Sequence, residues 1–219
     1  MSDLYNDGRS TTTGNIDANY ETTGKTEKEK WFQEFREFDY GIDIKDNIIL
    51  IQDDISAGLT FDIISKVRLL KKINPELKSI TVLLNSGGGD VVETLGLIDY
   101  IRSLNQSDGI KTNIVCRGMA MSAAALLLAA GTGLRAASKH SKIMVHQLSS
   151  YAVGKLSDLK SNAKFAESLE DDCNNIMAEC TNKDKQWWSD NQQNDYFLNS
   201  EEALELGIIN KIIYHSKFN

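Results

Sequence analysis

Residues 118–131 read GMAMSAAALLLAAG, and the break inside this stretch decides the fold. Just upstream, residues 113–116 (NIVC) have the short β-branched character of a buried strand. Downstream, 122–130 is an Ala/Leu helix that Gly131 stops. Ser122 therefore stands in a strand-to-helix turn, with Ala120 and Ala124 two residues to either side. Small residues at those positions are what a sharp nucleophile turn of the G-x-S-x-G kind needs in order to pack. Such a turn exposes the serine hydroxyl and aims the following amide, on Ala123, from the positive end of a helix. The plainer alternative is a serine that merely caps the helix with its own side chain.

Working outward, strand-like and helix-like blocks alternate. Residues 48–51 form a β-branched run. Residues 60–73 carry Ile63, Ile64, Val67, Leu70 and Ile73 at helical spacing, and Pro75, the one proline, follows. Residues 80–84 read as a second strand broken by Gly87-Gly88-Gly89, and 91–104 as a helix through Val92, Leu95, Ile98 and Ile101. Residues 142–145 are a further strand. Leu156, Leu159, Ala166, Leu169, Cys173, Ile176 and Cys180 then repeat every three or four residues, with Ser157 as a candidate cap, which predicts a helix of roughly 24 residues. Such a helix either projects to pair with another subunit or packs on its own domain. Asn199 and Glu202 have capping-box spacing, Gly207 ends that helix, and 208–213 is a last strand. Alternation of this kind predicts an α/β fold with a mainly parallel sheet.

Composition narrows the function classes. The chain has 219 residues and a net charge of -7, which argues against sequence-independent nucleic-acid binding. Three cysteines without a C-x-x-C pair suit a reducing compartment, and three histidines without H-E-x-x-H argue against a zinc enzyme. Residues 1–30 are polar and are expected to be mobile, followed by a single domain over 31–219. In WFQEFREF, residues 31–38, the aromatics share one helical face, suited to packing on the core or to docking. The amino terminus lacks a basic, apolar leader, and the longest apolar run, 123–130, is too short to span a membrane. A soluble, cytoplasmic protein is expected.

Two more features bear on chemistry. The loop Asn85-Ser86-Gly87-Gly88-Gly89-Asp90 lacks the Gly-Lys-Ser/Thr of a phosphate loop, and Val92 stands where a dinucleotide motif needs glycine. Its backbone amides suit either a tight turn or a developing oxyanion. His146 ends the strand 142–145, where open α/β sheets place their sites, so it is either a hydrogen-bonded core residue or a base for Ser122. A base needs an orienting carboxylate, and Asp195, Asp190, Asp171 and Asp172 all compete for that place.

These blocks, taken in order, resemble the ClpP family, the peptidase subunit of the Clp protease. GMAMSAAALLLAAG resembles its nucleophile block, LLNSGGGD its strand-to-loop N-S-P-G-G, IMVHQ its histidine block and NDYFLNSEEALELGIINKI its aspartate block. The likeness covers about residues 42–213. It implies Ser122 as nucleophile, His146 as general base and acid, Asp195 as orienting carboxylate, and the Gly88 and Ala123 amides as oxyanion donors. The chain departs from the family pattern at several places, one of them Ser149-Ser150, where the family is usually glycine-rich. Gly87 replaces the proline of N-S-P-G-G, Leu148 replaces the proline after His-Gln, and Asn194 replaces the basic residue before the aspartate.

The resemblance further implies a crotonase-like spiral with residues 156–180 as a projecting handle helix. It implies two stacked seven-membered rings of this chain and an N-terminal segment at an axial pore or removed as a propeptide. Unfolded polypeptides would be the substrates, delivered by an AAA+ unfoldase of the ClpX or ClpC kind. That partner would use the ATP, and this chain itself would need no cofactor or metal. Rival readings are a crotonase-fold enzyme acting on acyl-CoA thioesters, a Ser–Lys peptidase using Lys142 or Lys139, and a noncatalytic interaction protein.

Overall fold

The structure is a computed structural model that describes residues 39–149 and 152–214. The aromatic block 31–38 and the polar segment 1–30 lie outside the described residues. The strands are β1 (Ile42–Asp43), β2 (Ile48–Ile51), β3 (Ser79–Ser86), β4 (Lys111–Met121), β5 (Arg135–Ser138), β6 (Lys142–Val145), β7 (Tyr196–Leu198) and β8 (Lys211–Ile213). The helices are α1 (Leu59–Ile73), α2 (Val91–Asp108), α3 (Ala123–Ala129), α4 (Leu156–Cys180), α5 (Lys185–Asn191) and α6 (Ser200–Glu205).

The sheet runs β1-β2-β3-β4-β5-β8. Every neighbouring pair from β2 to β8 along this path is parallel, as the strand–helix alternation predicts. The sheet forks at β4. Residues 114–116 of that strand pair with β5, whereas 119–121 pair with β6, which in turn carries antiparallel β7. Between the two halves the β3–β4 register shifts, and the Asn85 side chain accepts a hydrogen bond from the Met119 amide at 3.0 Å. The expected strand 113–116 is thus only the middle of an 11-residue strand.

Helical spacing is realised on the faces that meet the sheet. In α1, Ile63, Val67 and Leu70 are buried, while Ile73 is exposed. In α2, Asp90 caps the helix by accepting from the Glu93 amide, and Leu97, Ile98, Ile101 and Leu104 face inward. Val92, expected on that face, points to solvent. All of α3 is buried, as a helix that is apolar all round must be. Full burial of one Leu in it is worth about 1.5–3 kcal/mol.

Helix α4 is divided along its length. From Leu156 to Phe165 every side chain is exposed, including Leu156, Leu159 and Phe165 themselves. Beyond Ala166 burial begins and centres on Asn174, Ile176 and Met177. Its first residue follows Lys155, so Ser157 lies inside the helix and bonds to Asp158 rather than capping. At the carboxyl end the Asn199–Glu202 capping box is complete, and Gly207 takes a left-handed φ of 80°.

Candidate active site

Ser122 sits where β4 ends and α3 begins, at φ 54° and ψ -126°, one of two non-glycine residues with positive φ among those described. Such a backbone costs about 1–3 kcal/mol and persists only where the surroundings enforce it. Here the Ser122 amide donates to the Met144 carbonyl at 2.7 Å, which ties the turn to β6. Although Ser122 stands at the N-cap of α3, its side chain makes no capping bond. The hydroxyl points instead to His146, with Oγ and Nε2 2.8 Å apart. The Ser122 side chain thus meets the imidazole and does not cap the helix.

His146 follows directly on β6 and is partly buried. Its Nδ1 lies 3.7 Å from Asp195 Oδ1, beyond hydrogen-bond length, and the Asp195 side chain is 58% exposed. Two of the competing carboxylates are engaged elsewhere. Asp171 pairs with Lys185 at 2.5 Å, and Asp190 accepts from Gln186 at 2.9 Å. Asp172 is exposed on α4. Of the four acids, Asp195 is the one brought to His146, because β7 pairs with β6 and Tyr196 lies opposite Val145.

The glycine loop closes the other side. Ile55 binds it twice, its amide donating to the Gly88 carbonyl and its carbonyl accepting from Asp90, both at 2.7 Å. Gly88 has φ 107°, and a Cβ there would stand 2.7 Å from Ser122 Cβ and 2.7 Å from the Met121 carbonyl. Glycine is therefore required for the close approach. The Gly88 amide donates to Ser86 Oγ at 3.2 Å, a contact the sequence did not suggest. The Ala123 amide belongs to the first turn of α3, where helix geometry leaves N–H groups without intrahelical partners.

A cavity of about 40 Å³ opens beside the serine, with Leu126, Val145, Leu148 and Met177 as apolar walls. Cys173 also lines it, and burial, with the Glu170 and Asp172 charges adding to it, pushes its thiol up to about 12. It stays a neutral thiol. An open groove of about 460 Å³ leads away from Ser122 between Gly89–Val92 and the Phe165–Leu169 stretch of α4.

A parallel α/β sheet forked around a strained serine, with an imidazole from the adjacent strand on its hydroxyl, defines a serine hydrolase class of site. Comparison with known proteins is more specific. Residues 32–216 match the family described as Clp protease. The chain is 35% identical over 175 residues to the ATP-dependent Clp protease proteolytic subunit 2 of Chlamydia trachomatis serovar D, covering 80% of this chain and 84% of that one. It is 34% identical to proteolytic subunit 1 of Chlamydia felis, again over 80% and 84%. The chain belongs to the Clp protease family, and it is a serine protease of that family's proteolytic-subunit type.

Proposed function

We propose that this chain hydrolyses peptide bonds of unfolded polypeptides through a Ser122–His146–Asp195 triad and an acyl-enzyme, inside a closed ring assembly. The observation that carries the reading is the 2.8 Å approach of His146 Nε2 to Ser122 Oγ. As Oγ attacks the scissile carbonyl, Nε2 takes the hydroxyl proton, and Asp195 steadies the imidazolium through Nδ1. Collapse of the tetrahedral intermediate passes that proton to the leaving amine. Water, activated by the same imidazole, then attacks the ester and releases the acid. The Gly88 and Ala123 amides stabilise the oxyanion, for which Gly88 turns its N–H from the Ser86 hydroxyl to the substrate.

The 3.7 Å gap at Asp195 closes when substrate or a neighbouring subunit orders its exposed turn. The exposed first half of α4, with Leu156, Leu159 and Phe165, is the handle by which two seven-membered rings of this chain stack. An AAA+ unfoldase, spending the ATP, feeds substrate through an axial pore. The relatives' names, ATP-dependent Clp protease proteolytic subunit, support that partnership. Among the described residues no helix is long and apolar enough to cross a membrane. Mass mapping after treatment with a fluorophosphonate tests the chemistry: a single adduct on Ser122 is expected, and an unlabelled serine rejects it. Sedimentation of the same sample tests the rings, which a monomer at working concentration removes.

A further inference from the structure

The segment that follows His146 is held by an acid on α4. Leu148, two residues beyond the histidine, donates its amide to Glu170 Oε2 at 2.7 Å. The other carboxylate oxygen, Oε1, accepts from Asn174 Nδ2 at 3.3 Å, and Asn174 Oδ1 accepts from Gln192 Nε2 at 3.0 Å. Gln192 closes the circuit with its carbonyl, which accepts the Gln147 amide at 2.6 Å. Asn174 and Gln192 are 4% and 6% exposed, so the bond between them is buried, while the bonds to Glu170 are partly buried. Gln192 also opens the turn that carries Asp195. One connected polar chain thus joins the backbone after His146 to the segment bearing Asp195, with Glu170 as its one charged member.

We propose that Glu170 is a positioning residue: by accepting the Leu148 amide it fixes the backbone that aims His146 between Ser122 and Asp195. Both amides after the histidine are tied, Gln147 to the end of α5 and Leu148 to α4, so the imidazole's base cannot drift as charge forms on the ring. Leu148 carries a partly buried N–H that is costly to leave unpaired, and the carboxylate pairs it. A charge-assisted bond of this length is among the stronger kinds. Glu170 also lines the small cavity beside Ser122, so its displacement opens that wall to water.

The proposal rests on the peptidase reading, and two substitutions in the assembled full-length protein separate reach from charge. Glu170→Asp keeps the charge but is one methylene too short to meet Leu148. Glu170→Gln loses the charge but keeps an oxygen at the same reach. With a short fluorogenic peptide, Glu170→Asp should lose about tenfold or more in kcat at nearly unchanged KM, while Glu170→Gln stays within about threefold of the parent. Amide exchange at Leu148, which needs no turnover, should quicken at least tenfold in Glu170→Asp and little in Glu170→Gln. Glu170→Asp with parental kcat, parental Leu148 exchange, or a Glu170→Gln as impaired as Glu170→Asp would each overturn the proposal. A parent protein whose Ser122 takes no fluorophosphonate rejects the peptidase reading instead, and the exchange data then still decide whether Glu170 braces Leu148.

Discussion

The amide of Ser122 donates to the carbonyl of Met144 at 2.7 Å, two residues before His146. The Ser122 backbone is thereby bonded to the strand that leads into His146, and Met121–Met144 is also a paired position of the two strands. The Ser122–His146 distance is thus set by sheet pairing and not by loops. The positive φ of Ser122 is tolerated for the same reason, since β6 holds the turn from one side and the glycine loop from the other.

From this arrangement, His146→Ala should lower kcat by about 10⁶, as losing the general base does in a unit of this kind. Asp195→Asn should cost less, about 10⁴, because the imidazole keeps its place on the serine and loses only tautomer control. Steady-state hydrolysis of a short peptide by the purified variants measures both. Equal losses would mean that Asp195 does more than orient the ring.

Gly88→Ala should lower kcat by about 10²–10³. The added methyl meets Ser122 Cβ and the Met121 carbonyl at 2.7 Å, and φ 107° is hostile to a side chain. The loop must back away and take its amide with it. Thermal melting of the same variant should fall, since Ile55 is bonded to this loop on both sides.

Thiol reagents should leave the activity intact at neutral pH. Burial pushes the Cys116 thiol up to about 11, and burial first, then Glu170 and Asp172, pushes Cys173 up to about 12. Neither offers a thiolate there, although Cys173 borders the cavity next to Ser122. Iodoacetamide treatment followed by a peptide assay is the check. Inactivation paired with alkylation of Cys173 would show that the pocket breathes far more than its packing implies.

Glu93→Gln should reduce thermal stability at neutral pH and make little difference in acid. The Glu93 carboxylate takes bonds from Thr60 and Gly58 at the start of α1, whose own cap residue is Gly58, and these hold its pKa below the usual carboxylate value. A depressed folded pKa means stability that is present above the unfolded value, about 4.3, and fades as pH falls through the folded one. Melting curves of both proteins at pH 7 and pH 3 decide it, and a gap that widens in acid would contradict the assignment.

Much of the fold was legible because periodicity and burial coincide. The apolar stripes of α1 and α2 were readable except at Ile73 and Val92, which are exposed, and the Asn199–Glu202 cap and the bounds of β6 were readable residue by residue. Strand β5 was not, because Arg-Ala-Ala-Ser lacks β-branched character and becomes a strand only between β4 and β8. The strand was expected to end at Cys116, but β4 runs on through Gly118 to Met121, with Asn85 bridging the irregular step. Helix α5 escaped notice because its seven residues hold a single buried anchor, Trp188, whose ring nitrogen donates to Thr181 Oγ1. At the site, Ser122, His146 and the glycine loop were visible as motifs. The choice of Asp195 over three other acids needed the family likeness, and its closeness to His146 comes from β6–β7 pairing, which joins Val145 to Tyr196 across a long stretch of intervening sequence. Glu170 carried no signal at all, since an acid on an exposed-looking stretch of helix reads as solvated surface.

Whether Ser122 carries the hydrolysis is read from peptide cleavage by Ser122→Ala alongside the parent protein, prepared and assayed identically. The parent should cleave robustly and the variant should lose about 10⁶ in kcat, with the melting temperature essentially retained. Cleavage by Ser122→Ala at a rate comparable to the parent, with contaminating peptidases removed, would contradict that role for Ser122.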